Sequence, residues 1–247
     1  MNSLKYTLII LAALLSNCCT NNKSTQMTME NSNSALVMID DSTVNGLIVY
    51  YPQFNSIDLV CEKMPSQQDT NVIFCAEAAF THELLDHFAH SNIDGDHVSG
   101  GKRYAGAQCK DNSGAFAWFR DSSWTFVHGE YSELLDSVAA ADGMGFGQAM
   151  IIYEGKSIRP LWREGVNQYR ALCEKDGKLC IVDSRDKVSY EQYVTLLEAF
   201  APRHALYLDM GVGWNHSWWR DDDGKVHEIH PTASNSRYCT NWITFYR

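Results

Sequence analysis

Positive charge is scarce in this sequence. Its 247 residues include 20 Lys and Arg against 30 Asp and Glu, a formal net charge of −10, and no run of four basic residues occurs. An acidic surface repels the phosphate backbones of nucleic acids, so DNA and RNA are not expected partners. Low-complexity stretches are few and 12% of the residues are aromatic, which excludes intrinsic disorder for the bulk of the chain.

The N-terminus lacks an apolar run long enough to cross a bilayer. Residues 6–15 are apolar, but a membrane-spanning helix needs about 20 such residues. The run ends in Leu-Ser-Asn-Cys, which resembles a bacterial lipobox with Asn17 where a smaller residue is usual. Cys18 would then be the lipidated first residue of the mature chain. Cys19 is the weaker alternative for the anchor, and an ordinary cleaved signal peptide is another interpretation; each predicts export.

Internal repeats and Pro/Gly linkers are missing from residues 35–247, which predicts one domain there. Residues 1–17 are interpreted as a signal peptide of the lipoprotein type. Residues 18–34, rich in Asn, Ser and Thr, are interpreted as a polar tether. The predicted location is therefore the periplasmic or cell-surface face of a bacterial membrane, to which the lipid anchor would attach the protein.

The regular strand–helix alternation of a doubly wound fold is also absent. Short β-like runs dominate residues 35–247, and turn signals such as Asp176-Gly177 join several of them into hairpins. Helices are predicted over residues 81–90, 131–141 and 190–201. The last begins with a capping box formed by Ser189 and Gln192. The sequence predicts an α+β fold: a mixed, largely antiparallel β-sheet with a few packed helices in a single domain.

The usual metal-binding spacings are missing. No CxxC or His/Cys zinc pattern occurs, so a structural zinc is disfavoured. Four histidines lie near acidic residues, but three of them at i, i+5 and i+8 do not share one helical face: His82, His87, His90 and His97. We therefore expect no metal and no cofactor. Cys173 and Cys180 flank the Asp176-Gly177 turn and are the best disulfide candidate, because a hairpin would place them opposite each other.

Three charged residues mark candidate chemistry. Asp209 ends an apolar run and precedes a glycine-rich turn, so it is either a catalytic or ligand-binding carboxylate or a turn cap. Glu77 ends the apolar run 71–76, where it lies either at a polar site or at an exposed strand end. Arg170 is the first residue of the hairpin that carries the two cysteines. Its guanidinium can donate two parallel hydrogen bonds to a phosphate or carboxylate. The alternative, and the commoner case, is an arginine exposed on a strand.

The segment after Asp209 is rich in glycine, tryptophan and polar side chains. Tryptophan faces stack on sugar rings, Asn and His bond to hydroxyl groups, and glycines let a ligand approach the main chain. Packing of alternate tryptophans in the core is the alternative. The predicted substrate-binding residues are Gly211, Gly213, Trp214, Asn215 and His216.

In chain order these features resemble the phosphodiester glycosidase family over about residues 70–247. The matching segments are 77–80 for a strand ending in an Asn-Gly-Gly-Phe-Phe-like motif, 148–155 for a Pro-x-Leu-Val-x-x-Gly pattern, 170–182 for a hairpin that begins with Arg, 189–200 for a Ser/Thr-capped helix, and 205–211 for Ala-x-x-Leu-Asp-Gly-Gly. The sequence departs from the family at Glu77, Ala78, Ala79, Met210 and Trp214.

The resemblance implies an exported hydrolase that cleaves a sugar-1-phosphodiester at the glycosidic C–O bond, with a carbohydrate or sugar-phosphate as its partner. Arg170 would bind the phosphate, Asp209 would stabilise the oxocarbenium-like sugar or activate water, and Glu77 would be the second carboxylate. The alternative is a non-catalytic surface lipoprotein that binds a glycan through the same cleft. The substitutions at residues 77–79 and 210 favour that alternative, whereas the retained Arg170 and Asp209 favour the hydrolase.

Overall fold

Short runs of buried apolar residues form three antiparallel sheets in the part of the chain that the structure describes. This structure, a computed structural model, describes residues 35–81, 89–107, 110–158, 164–210, 217–229 and 240–247. All of these residues belong to one compact unit, Ser34–Arg247. The proposed signal peptide, tether and Cys18 lie outside the described residues, so the boundaries after residues 17 and 34 stay predictions. No helix among the described residues is long and apolar enough to cross a membrane.

The described elements are mostly strands. In chain order they are β1 (Val37–Asp40), β2 (Leu47–Pro52), β3 (Ser56–Cys61), β4 (Val72–Glu77), a 3₁₀ turn (His90–Asn92), β5 (His97–Ser99), β6 (Lys102–Tyr104), β7 (Gly114–Trp118), β8 (Trp124–His128), α1 (Ser132–Ala140), β9 (Met144–Gln148), β10 (Met150–Tyr153), β11 (Lys156–Ser157), β12 (Arg170–Lys175), β13 (Lys178–Ser184), α2 (Tyr190–Phe200), β14 (His204–Leu208), β15 (Ser217–Arg220), β16 (Val226–Ile229) and β17 (Asn241–Tyr246).

The first sheet has the order β1-β2-β13-β12-β14-β10-β11, the second β16-β15-β4-β17-β3, and the third β6-β5-β9-β7-β8. Every pairing between these strands is antiparallel. The predicted mostly-β α+β class with few helices is therefore confirmed. The helix predicted over 81–90 falls mainly on residues outside the described part, and the described helices are α1 and α2.

One hydrophobic core joins the three sheets, and a second lies on the opposite face of the first sheet. Leu172 and Leu206 of the first sheet pack in the same cluster as Phe74 of the second and Phe146 of the third. The intervening residues, such as Ala171, face α2 instead, because side chains alternate between the two faces of a strand. The first sheet is thus covered by α2 on one face and by the other two sheets on the other.

Helix α2 forms as its capping signals predict. The Ser189 hydroxyl accepts a hydrogen bond from the Gln192 backbone N–H at 3.2 Å, and the Gln192 side chain accepts one from the Ser189 backbone N–H at 2.9 Å. The helix ends at Ala201 in the left-handed conformation, just before a proline. Its buried face carries the apolar residues Tyr193, Val194, Leu197 and Phe200.

The β12–β13 hairpin also forms with the predicted register. Asp176 and Gly177 both have positive φ, as a two-residue type I′ turn requires, and Cys173 lies directly opposite Cys180. Both cysteines are nevertheless free, buried thiols, so the expected disulfide is not formed. Cβ atoms of facing residues in an antiparallel pair lie about 4.5–5.5 Å apart, whereas a disulfide needs about 3.8 Å.

Candidate functional site: a buried polar cluster at three strand ends

The three charged residues singled out in the sequence meet where the first and second sheets adjoin. Glu77 is the last residue of β4, Asp209 follows β14, and Arg170 is the first residue of β12. The Asp209 backbone N–H donates to the carbonyl of Ala78, the residue after Glu77, at 2.9 Å. Arg170 pairs with Leu208, the residue before Asp209. The chain therefore brings together, from three separate strands, residues that are far apart in sequence.

Arg170 is held by a two-pronged ion pair that the sequence did not predict. Its Nε donates to Oδ1 of Asp183 and its Nη2 to Oδ2, both at 2.6 Å, and its Nη1 donates to the Ser217 hydroxyl. All three side chains are fully buried. Burial opposes the charged form of Arg170, but the charge and hydrogen bonds of Asp183 prevail and raise the arginine pKa above its ordinary value. Arg170 is therefore a permanently charged group at a fixed position.

The segment after Glu77 is fixed by two amide side chains. Asn241 accepts a hydrogen bond from the Ala79 N–H at 2.7 Å and donates to the Ala79 carbonyl at 3.0 Å. The Gln148 side chain donates to the Ala78 carbonyl at 3.4 Å. Both amides are completely buried, where a lost hydrogen bond is costly. These bonds fix the backbone that links Glu77 to Asp209.

We call this set the polar cluster; its members are Glu77, Arg170, Asp183, Asp209, Ser217 and Asn241. Each of them is at most 4% exposed. The cluster contains three carboxyl groups and one guanidinium, so acidic groups outnumber basic ones in it. Such a set suits a centre that becomes positively charged during a reaction, because fixed charges stabilise an opposite charge most strongly away from water.

Sequence reasoning found three of these residues and missed the others. Asp183 faces Arg170 across the hairpin register, so extending the predicted strand pairing by one residue, to 183, would have pointed to it. Ser217 and Asn241 carry no comparable local signal, since their partners lie 47 and 162 residues away in the chain.

The predicted substrate-binding segment cannot be placed in the same way. Gly211, Gly213, Trp214, Asn215 and His216 lie outside the described residues, and their role stays a prediction. The next tryptophan, Trp218, is fully buried in a core with Cys75 and Trp242. Trp219 is partly exposed and stacks on His227, with ring centroids 4.3 Å apart. Trp218 is therefore a core residue, as the alternative of tryptophan packing predicts.

Comparison with known proteins gives a likeness of fold. No protein-family model matches the sequence, and no curated protein matches it. Among solved structures, the catalytic domain of zebrafish N-acetylglucosamine-1-phosphodiester alpha-N-acetylglucosaminidase, auto-inhibited by its pro-peptide, matches with a TM-score of 0.56 and 12% identity. The match covers 87% of this chain and 85% of that chain. The two share a fold.

A hypothetical protein from Synechocystis matches in the same way, with a TM-score of 0.57 and 13% identity over 85% of this chain and 61% of that one. At these identities both matches show a distant structural relationship. The resemblance to phosphodiester glycosidases seen in the sequence is therefore supported at the level of the fold.

Proposed function

We propose that this protein is a glycosidase that hydrolyses a sugar-1-phosphodiester or a related glycoconjugate, with the polar cluster as its catalytic site. The observation that carries the proposal is the junction of Glu77 and Asp209 through the Asp209 N–H and the Ala78 carbonyl, 2.9 Å apart. Two carboxyl groups on either side of the reacting bond are the usual equipment of a glycosidase. The shared fold with an enzyme named as an N-acetylglucosamine-1-phosphodiester alpha-N-acetylglucosaminidase supports the same assignment.

The proposed chemistry follows from the charges. A phosphate is a good leaving group, so cleavage of the glycosidic C–O bond needs little help from a general acid. Asp209 would stabilise the oxocarbenium-like sugar or activate water, and Glu77 would be the second carboxylate. Water supplies the hydroxyl group at the sugar, and the phosphomonoester leaves with its bonding electrons.

Arg170 has a narrower role in this proposal than the sequence suggested. Its described contacts with Asp183 and Ser217 occupy three of the five guanidinium N–H groups. The other two would be the groups that contact the leaving phosphate. Asp183 would then hold the fork in one orientation, which lowers the entropy cost of using it.

A non-catalytic glycan-binding protein is the second candidate. The observation that favours it is the complete burial of Ala78 and Ala79, which stand where the family has glycines. Their methyl groups pack in the hydrophobic core that joins the three sheets, and glycines would leave that volume empty. A more tightly packed site would bind a glycan at its edge and exclude the reacting bond from the carboxylates.

Hydrolysis of a panel of sugar-1-phosphate methyl esters, followed by release of free sugar, tests the proposal. We expect turnover by the full chain and a loss of about a hundredfold or more in Asp209→Asn, because the change removes the charge with little change of shape. Asp176→Asn, in the exposed β12–β13 turn, is the matched control and should keep full activity. Near-normal turnover in a folded Asp209→Asn protein contradicts the assignment, and binding without turnover by the wild type favours the second candidate.

We also propose that the protein is exported and anchored to a membrane through Cys18. The proposal depends on the apolar run 6–15 and the lipobox-like sequence that follows it. Cys18→Ser should abolish incorporation of labelled fatty acid in bacterial cells. Unchanged labelling would move the anchor to Cys19.

A further inference from the structure

A second cluster of reactive side chains has no part in the proposed hydrolysis, although its Cys61 is the strand partner of Asn241 in the polar cluster. Cys61 ends β3, His90 opens the 3₁₀ turn, and His97 opens β5. One donor atom from each lies within 4.8 Å of the others. A thiol and two imidazoles are the ligands that zinc and related transition-metal ions prefer.

The histidine contacts define which nitrogens face the centre of this cluster. His97 Nδ1 lies 3.2 Å from the Gly95 carbonyl oxygen, which can only accept, so Nδ1 carries the hydrogen. The neutral ring then presents the lone pair of Nε2, and this atom lies 2.8 Å from His90 Nδ1. A histidine that donates one N–H to a backbone carbonyl and points the other nitrogen at a shared centre has the outer-shell arrangement of metal-ligating histidines.

The rings are also held in place from the side. The Tyr104 ring stacks on His90 with an interplanar angle of 6° and lies 15° from parallel with His97. Tyr104 is the strand partner of His97 between β5 and β6. Both imidazoles are thus oriented before any ion arrives, which reduces the cost of binding one.

The separations suit one tetrahedral ion. Zinc bonds of about 2.0–2.1 Å to nitrogen and about 2.3 Å to sulfur place two nitrogen ligands about 3.3 Å apart and a sulfur about 3.6 Å from a nitrogen. The His90–His97 hydrogen bond at 2.8 Å would open by about half an ångström, so that the ion replaces its proton. The 4.8 Å limit on the remaining separations leaves a short inward movement for the half-buried Cys61 and His90 side chains.

A reactive thiol is the competing use of these residues. A nucleophilic cysteine needs one neighbouring base, whereas here two imidazole nitrogens lie close to the same thiol and to each other. The geometry therefore favours an ion over covalent chemistry.

We infer that Cys61, His90 and His97 form a binding site for a divalent transition-metal ion, zinc above all. They supply the three ligands that converge within the described part of the chain, and two nitrogens and one sulfur suit tetrahedral zinc. The spacing rules applied to the sequence could not reveal this site because β3 supplies the cysteine from 29 residues before His90.

Cobalt(II) titration of the full chain, freed of metal with a chelator, tests the inference. We expect one equivalent of Co²⁺ to bind, with a thiolate-to-cobalt charge-transfer band and the intense visible bands of four-coordinate cobalt, and one equivalent of Zn²⁺ to bleach them. Cys61→Ser should remove the charge-transfer band. His90→Gln should weaken Co²⁺ and Zn²⁺ binding by at least about 10–100-fold, the loss typical of removing even an outer-shell partner.

Two variants serve as controls: His128→Gln changes an exposed histidine, and Cys75→Ala removes a buried thiol outside the site. Both should bind Co²⁺ as the wild type does. The inference is overturned if the wild type shows no stoichiometric cobalt band, or if the band survives both Cys61→Ser and His90→Gln. Should Cys61→Ser fail to fold, His90→Gln decides alone. The spectrum is independent of sugar-phosphate hydrolysis, so this test and that of the proposed function can fail separately.

Discussion

The buried Arg170–Asp183 pair gives the sharpest test of how the polar cluster is held together. Asp183→Asn keeps the shape of the side chain but removes its charge and leaves the arginine facing an uncharged group. Both side chains are 0% exposed, and both carboxylate oxygens bond to the guanidinium at 2.6 Å. Removing one partner of such a pair leaves an uncompensated buried charge, which costs about 3–5 kcal/mol.

The expected loss is large enough to measure simply. For a domain of this size, about 1 kcal/mol lowers the melting temperature by about 2–4 °C, so Asp183→Asn should lower it by about 6–20 °C. Urea unfolding, followed by circular dichroism, gives the free energy of unfolding directly. The double variant Arg170→Met/Asp183→Leu should recover much of the loss, because replacing a whole buried pair with apolar groups is often nearly neutral.

An exposed ion pair provides the control. Arg203 and Glu154 lie 3.0 Å apart with side chains 59% and 50% exposed, so Glu154→Gln should cost less than about 1 kcal/mol. A loss below about 1 kcal/mol in Asp183→Asn would refute the reasoning. It would mean that water reaches the guanidinium or that other groups take over its neutralisation.

Three further predictions concern local features. Ser189→Ala should lower the free energy of unfolding by about 1 kcal/mol, since it removes the N-terminal cap of α2. Gly106→Ala should cost more than about 2 kcal/mol, because a methyl group there collides with the carbonyl oxygen of Gly95. The Asp40 pKa is lowered to about 2, chiefly by the Thr43 hydroxyl; Thr43→Val should therefore raise it toward 3.8, measured by NMR titration of the carboxyl carbon.

Each of these three predictions has a control or a contradicting result. A Cβ at Gly177 would meet no other atom, but the residue has a φ of 71°, so Gly177→Ala should cost only about 1–2 kcal/mol. An equal cost for Gly106→Ala would rule out the collision with Gly95. Because the folded pKa of Asp40 is depressed, its contribution to stability is present above pH 3.8 and is lost as the pH falls through about 2. An unshifted carboxyl signal in the wild type, or an uncapped α2 that loses no stability, would contradict the corresponding prediction.

Local signals predicted local structure correctly. The capping box at Ser189, the type I′ turn at Asp176-Gly177 and the register that it imposes on Cys173 and Cys180 depend on residues a few positions apart, and all three form as expected. The disulfide did not follow, because its formation depends on the Cβ separation across a strand pair rather than on register alone.

Long-range partners explain what the sequence did not reveal. The order of motifs pointed to Glu77, Arg170 and Asp209, but nothing near Arg170 predicts that Ser217 accepts from it or that Asn241 fixes Ala79. The Cys61, His90 and His97 group was missed for the same reason: spacing rules apply to ligands on one element, whereas these three come from a strand end, a 3₁₀ turn and a second strand. These three residues come close together only when the strands pair in the folded protein.

The residues that replace glycines at the Glu77–Asp209 junction adopt backbone conformations that do not need glycine. Ala78, Ala79 and Met210 have ordinary negative φ, so none of them needs the conformational freedom that glycine provides. Hydrogen bonds from Asn241 and Gln148 hold this backbone instead. Both alanines are fully buried among the apolar residues of the core that joins the three sheets. The departures from the glycosidase motif at these positions therefore leave the backbone link between Glu77 and Asp209 intact.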